Sequence, residues 1–213
     1  IIAVNQDRYG KAASVGKPMP GTEVRIVDKD ESGIGEVICK GPSVMMGYYK
    51  DAENTAKTIK DGWLYTGDYG YLDEDGFLYI TGRKKNVIVT KGGKNIFPEE
   101  VEYYLLLSDF ISEVIVYGKH EEIKDDLICT AIMYPDFKAL ENAGYMTDEE
   151  KYRKLKEAVE EANSKMPPFK RVKRIEIRED DFIKTTTLKI KRFEEENYEY
   201  KFDDRDFEKG RRF

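Results

Sequence analysis

In the first part of the chain, hydrophobic and polar positions alternate over short stretches that end in turn residues. TEVRIVD (22–28) places Val24 and Ile26 on one face, and GEVICKG (35–41) follows a Ser-Gly-Ile-Gly turn, so both read as strands. Asp61-Gly62 precedes WLYTGD, and Asp75-Gly76 lies between YLDE and FLYIT, which predicts a hairpin. Only DAENTAKTI (51–59) has a helical pattern, so no long helix is expected to cover a parallel sheet. A small antiparallel β-barrel or sandwich is the expected form.

The period changes after Gly82. Pro98 followed by Glu99, Glu100 and Glu102 is a helix start, because proline fits the first turn and acids favour the positive end of the helix dipole. Val101, Tyr104 and Leu105 supply its apolar stripe. SEVIVYG (112–118), LICTAIM (127–133) and RVKRIEIRE (171–179) read as strands. Thr147 with Glu150 forms a capping box, and Tyr152, Leu155, Val159, Ala162 and Met166 share one helical face until Pro167-Pro168 ends it. This second part is α+β. The change of character falls near 82–85, inside TGRKKNVIVTKGGK (81–94), where the β-branched run NVIVT sits between two clusters of glycine and cations. FEEENYEYKFDDRDFEKGRRF (193–213) is dense in both charges without a clear period, and is expected to be a surface helix or partly ordered arm.

Composition narrows the function. The 213 residues are 40% hydrophobic and 37% charged, as in a globular protein with a heavily charged surface. A net charge of −6 repels nucleic acid, so no nucleic-acid partner is expected and any phosphate binding must come from local clusters. Cys39 and Cys129 lie in strand-like runs without metal or redox spacing, which predicts buried free thiols and a reducing, cytoplasmic setting. No apolar stretch approaches the roughly 20 residues of a bilayer span. The chain opens on Ile1 rather than Met, so a fragment or processed product stays open.

Three places carry candidate chemistry. KGGK (91–94) combines permissive backbone with fixed charge but lacks the GxxxxGK[ST] spacing of a nucleotide loop, and a solvated turn is its plain alternative. IKTTTLKIKR (183–192) gathers four cations around three threonines, which suits phosphate oxygens or simply an exposed polar hairpin. Asp68 of YTGD stands after a glycine at a strand end, where a carboxylate can accept ribose hydroxyls or cap a turn. His120 is the only histidine and has no nucleophile pattern near it, so it reads as a surface residue.

These signals are not independent. GEVICKGPSVMMGYYKDAENTAKTIKDGWLYTGD, then GFLYITGRKKNVIVTKGGKNIFPEEVE, then KTTTLKIKR closely resemble the carboxyl-terminal third of the adenylate-forming superfamily, which comprises acyl-CoA synthetases, peptide-synthetase adenylation domains and luciferases. The resemblance extends to Arg192, and NIFPEEVE and KTTTLKIKR are most similar to the long-chain fatty acyl-CoA synthetase branch.

The resemblance implies a set of roles. Asp68 would hold the ribose hydroxyls of ATP and the acyl-adenylate, Arg83 would contact the nucleotide, and Ile80 would lie against it. Lys85 falls at the hinge about which the small domain swings between half-reactions. Gly92 and Gly93 would line the CoA pantetheine channel, with Lys94 near the phosphates, and Lys189 would be the catalytic lysine of adenylation. Lys184 and Lys191 are its decoys. Two positions depart from the family pattern: Ile183 replaces the motif's proline and Leu188 replaces the glycine before the lysine. The implied layout is the end of a large AMP-binding domain at 1–82, a mobile lid at 83–192 and a charged tail at 193–213. The phosphate loop and the Mg²⁺ ligand would lie upstream, so this chain alone is expected to be inactive. Fatty acid, ATP and CoA are the implied partners. Acyl-chain length, oligomeric state and any peripheral membrane contact are not read from these residues. The alternatives are an adenylation domain that loads a carrier protein and a non-catalytic module that binds AMP or a partner.

Overall fold

The computed structural model describes residues 1–6, 9–121, 126–192 and 202–203. It divides into two units, Ile1–Asn86 and a second beginning at Val87.

In the first unit, β1 (Ala3–Val4) and β2 (Lys17–Pro18) form a small antiparallel pair. The main sheet contains β3 (Glu23–Val27), β4 (Gly35–Lys40), β5 (Ile59–Lys60), β6 (Trp63–Leu72) and β7 (Leu78–Arg83). Its order is β3-β4-β6-β5 with β7 also on β6, every pairing is antiparallel, and the sheet curls into half a barrel. Asp61 (φ 53) and Gly62 (φ 78) both take positive φ, the twist-matched turn that joins β5 to β6. The one α-helix among the described residues of this unit, α1 (Ala52–Thr58), is capped by the Asp51 side chain, as the DAENTAKTI pattern suggested.

β6 does most of the organising. It pairs with β4 at Ile38↔Tyr65 and again at Glu36↔Tyr69, so Thr66, Gly67 and Asp68 stand opposite Val37 alone. That is a bulge, and a bulge leaves backbone groups off the ladder. Here side chains take them up. Thr66 Oγ1 donates to the Val37 carbonyl (2.7 Å) and accepts from the Asp68 amide (3.1 Å), while the Gly67 amide donates to Glu36 Oε1 (3.3 Å). Gly67 sits at φ 70, a left-handed position that glycine takes without strain.

The second unit contains β8 (Ile88–Val89), β9 (Asn95–Ile96), α2 (Pro98–Leu105), β10 (Ile111–Glu121), β11 (Asp126–Pro135), α3 (Phe137–Asn142), α4 (Asp148–Ser164), β12 (Arg174–Ile177) and β13 (Phe202–Asp203). Among the described residues its sheet runs β10-β11-β12-β13, with a parallel step from β11 to β12 spanned by α3 and α4. One sheet face packs on α2 and α4 through Val114, Val116, Ala131, Leu105, Leu155 and Val159. A smaller cluster of Ile115, Ile132 and Phe182, with Tyr117, Tyr134 and Ile190 against it, covers the other face. Thr147 and Glu150 form the expected capping box, and Leu155, Val159 and Ala162 are buried on the expected helix face.

Several elements differ from their sequence pattern. NVIVT yields only β8, because Lys84–Asn86 winds into a 3₁₀ turn ahead of it. RVKRIEIRE yields a strand only at Arg174–Ile177, where β11 supplies pairing. α3 and the β1–β2 pair were not expected. In the tail only Phe202–Asp203 is described, paired with β12; the surface-helix expectation otherwise lies outside the described residues. Cys39 and Cys129 are buried free thiols, and burial pushes the Cys129 thiol up to about 12. His120 is exposed.

Candidate functional site

Of the residues singled out in the sequence, the first unit brings together Asp68 and Arg83. They are register partners across β6 and β7, and Arg83 Nε lies 2.9 Å from Asp68 Oδ1. The Asp68 side chain is 29% exposed and that of Arg83 56%. Ile80, three residues before Arg83 on β7, is 40% exposed, an apolar side chain left in solvent beside this pair's strand. Beneath the bulge, Glu36 is almost fully buried, holds the Gly67 amide with one oxygen and meets Lys84 Nζ at 2.6 Å with the other. That contact raises the Lys84 ammonium above its ordinary value. Glu36 and Lys84 therefore brace the TGD bulge from behind. Sequence reading missed both, since residues 48 apart in the chain carry no shared local pattern. Lys85 follows in the 3₁₀ turn that ends this unit.

A cavity of about 670 Å³ in the first unit is lined by Val4, Tyr9, Lys17, Met19 and Phe77, and by none of the residues singled out above.

In the second unit the candidates sit on two turns of one design. In Thr90–Lys94 the Thr90 amide donates to the Lys94 carbonyl (3.0 Å), Gly93 N–H to the Thr90 carbonyl (2.8 Å), and Lys94 N–H to Thr90 Oγ1 (3.1 Å). In Thr185–Lys189 the Thr185 amide donates to the Lys189 carbonyl (2.8 Å), Leu188 N–H to the Thr185 carbonyl (2.9 Å), and Lys189 N–H to Thr185 Oγ1 (3.1 Å). The fourth residue is left-handed in both, Gly93 at φ 74 and Leu188 at φ 61. Asp30–Ile34 and Asp73–Phe77 repeat the pattern with an Asp carboxylate accepting and glycine, Gly33 or Gly76, in fourth place. Each is a three-residue hairpin loop closed by a left-handed residue.

The turn accounts for Gly93 but not for Gly92. A Cβ at Gly92 would meet only Thr90 Oγ1, at 3.9 Å, and its φ is not left-handed, so nothing in the fold itself demands glycine there. Lys94 is exposed with its ammonium 4.7 Å from the Phe169 ring centre. Lys189 is exposed on the last turn, and Leu188 beside it is 79% exposed. The polar-hairpin reading of IKTTTLKIKR and the phosphate reading are thus compatible: a hairpin it is, closed by a Lys184↔Ile190 bridge, with Lys189 presented to solvent.

Lys184, set aside as a decoy, is anchored. Its ammonium reaches Asp181 Oδ1 at 3.0 Å and also pairs with Glu113 of β10. Among the described residues, no group of three or more His, Cys, Asp or Glu side chains comes together that could hold a metal ion. No helix among them is long and apolar enough to cross a membrane.

Comparison with known proteins gives these residues a context. The AMP-binding enzyme family matches residues 1–49, and the AMP-binding enzyme C-terminal domain family matches residues 85–199. The long-chain-fatty-acid–CoA ligase of Bacillus subtilis (strain 168) is 36% identical over 188 residues, covering 85% of this chain and 31% of the relative. The 2-succinylbenzoate–CoA ligase of Bacillus cytotoxicus is 43% identical over 117 residues, covering 53% of this chain and 24% of the relative. The solved structure of the anthranilate CoA ligase AuaEII in complex with anthranoyl-AMP matches with a TM-score of 0.73 at 26% identity, over 91% of this chain and 36% of that one. The chain thus spans about a third of the length of the long-chain ligases it matches. With a C-terminal-domain match over more than half its length, the chain belongs to the AMP-binding enzyme family.

Proposed function

We propose that the chain is the carboxyl-terminal part of an AMP-forming acid–CoA ligase whose acid is a long-chain fatty acid. The observation that carries this is the extent of the match: the long-chain ligase similarity runs over 188 residues and both units. The 2-succinylbenzoate–CoA ligase similarity is stronger per residue but shorter, which keeps an aromatic acid as the second reading.

In this reading the acid carboxylate attacks the α-phosphorus of ATP, pyrophosphate leaves, and the CoA thiol then displaces AMP from the acyl-adenylate. Asp68, fixed through Oδ1 by Arg83, accepts the ribose hydroxyls, and Ile80 lies against the nucleotide. Lys189 bridges the acid carboxylate and the α-phosphate, stabilising charge as pyrophosphate departs. Gly92 and Gly93 leave backbone without side chains for the pantetheine arm, and Lys94 stands near the phosphates. That Gly92 has no reason of its own to be glycine supports this role. Lys85, in the 3₁₀ turn where the first unit ends, is the pivot between an end piece of the large domain at 1–82 and a lid at 83–192. The donors for Mg²⁺ are assigned to the upstream part of the full-length enzyme, as is the acyl site, and the chain alone does not turn over. Two buried free thiols support a reducing, cytoplasmic setting.

The test takes the complete reading frame and measures pyrophosphate exchange driven by long-chain fatty acids and by 2-succinylbenzoate. Exchange with the fatty acids alone is expected. Exchange with the aromatic acid alone would replace the substrate class, and exchange with neither would return the chain to a non-catalytic binding module.

A further inference from the structure

The hairpin that presents Lys189 is held at both ends. At its entry Lys184 meets both Asp181 oxygens, at 3.0 and 3.2 Å, and pairs with Glu113; the Lys184 and Glu113 side chains are only 22% and 23% exposed. At its exit the Arg192 guanidinium donates through Nη1 to the Val116 carbonyl (3.2 Å) and through Nη2 to Glu102 Oε2. Glu102, 8% exposed on α2, accepts the Val116 amide on its other oxygen at 2.6 Å. Glu113 and Val116 are both on β10, so one strand receives both ends of the hairpin. Between the anchors, Ile190 packs on the Ile115, Ile132 and Phe182 cluster, and Lys191 N–H donates to the Ile183 carbonyl at 2.8 Å.

A lone two-stranded hairpin is marginal in water. Burying Glu102 is unfavourable by itself, and desolvation raises its carboxyl above the ordinary value. A carboxylate kept there at that cost needs a task, and its partners are the end of the hairpin and the strand beneath it. Among the described residues the Lys189 side chain has no comparable tether: it lies exposed at the end of the turn, so its position is set by what holds the hairpin.

We infer that Lys184 with Glu113 and Asp181, and Arg192 with Glu102, form two clamps that seat the hairpin on β10 and so fix where Lys189 can reach. These are positioning residues that act through Lys189. The inference rests on the assignment of Lys189 to adenylation, and the experiment separates the two.

In the complete reading frame, pyrophosphate exchange and thioester formation from supplied acyl-adenylate are measured for Lys184→Met, Lys184→Arg, Glu102→Gln, Lys189→Ala and the double variant Lys184→Met/Lys189→Ala. A displacement of about 1 Å in a catalytic group can cost about a hundredfold in rate. Exchange is therefore expected to fall about a hundredfold in kcat for Lys184→Met and Glu102→Gln, with KM for ATP unchanged and the thioester half-reaction intact. Lys184→Arg recovers most of the loss, and the double variant is no worse than Lys189→Ala alone. Full exchange in the clamp variants, with Lys189→Ala dead, overturns the clamps and leaves the lysine assignment standing. Full exchange in Lys189→Ala overturns the assignment and the clamps with it. Should the clamp variants not fold, amide hydrogen exchange of the wild-type chain decides: Leu188 and Lys191 amides protected to within about tenfold of Val116 support the clamps, and free-peptide rates overturn them.

Discussion

Gly93 and Leu188 hold the same place in two turns with the same hydrogen bonds, yet only one of them is a residue for which left-handed backbone is easy. A side chain with a Cβ is less favourable there by roughly 1–2 kcal/mol, while glycine loses about 0.5–1 kcal/mol in unfolded-chain entropy. Leu188 contacts little that would offset the difference, being 79% exposed.

Leu188→Gly is thus expected to stabilise the second unit by about 0.5–1 kcal/mol, read as a higher urea midpoint at unchanged slope. Gly93→Leu should destabilise it by about 1 kcal/mol, read as a lower midpoint. A Leu188→Gly variant that is destabilised would mean that the leucine side chain has a packing role the turn geometry does not reveal.

The Asp68–Arg83 pair is solvent-accessible and contributes at most about 1 kcal/mol to folding. Asp68→Ala should lower the thermal midpoint by no more than about 5 °C. Loss of a hydrogen bond from a ribose hydroxyl to a charged carboxylate, about 1.5–3 kcal/mol, should weaken AMP binding to the full-length protein roughly ten- to a hundredfold. Calorimetric titration measures it, and unchanged affinity would remove Asp68 from the nucleotide site.

Acid should loosen the first unit through Asp73. Its carboxylate accepts from the Lys11 ammonium at 2.6 Å, which draws it below the ordinary 3.8, helped by the Phe77 amide. Because the folded value is depressed, the unfolded chain takes up the proton first as pH falls. The stabilisation is complete above 3.8 and disappears as pH drops through the folded value. Asp73→Asn should flatten that part of the stability curve of the first unit, measured by thermal melts down the acid range. An acid limb as steep as wild type would contradict the assignment.

Legibility in the sequence followed the range of the interaction. The 3.6 period of α4 and its capping box, the alternation of β3 and the turn residues before β6 are local, and each produced the element it suggested. DESG, DEDG and TKGG announce the hairpin loop because glycine marks its left-handed corner; TTTL makes the same loop with that mark missing. The TGD bulge was invisible, since it depends on Glu36 reaching Gly67 from another strand. The anchoring of Lys184 was invisible for the same reason. Its partner Glu113 lies on β10, and a pattern search over neighbouring residues does not couple them.

Lys189 is assigned to adenylation and only to adenylation, so its variant divides the two half-reactions. In the complete reading frame, Lys189→Ala beside wild type is assayed for acid-dependent pyrophosphate exchange and, separately, for thioester formation from supplied acyl-adenylate. Exchange is expected to fall by about a hundred- to a thousandfold, the scale of removing one transition-state charge stabiliser, while thioester formation keeps its wild-type rate. Exchange that survives at wild-type rate would contradict it.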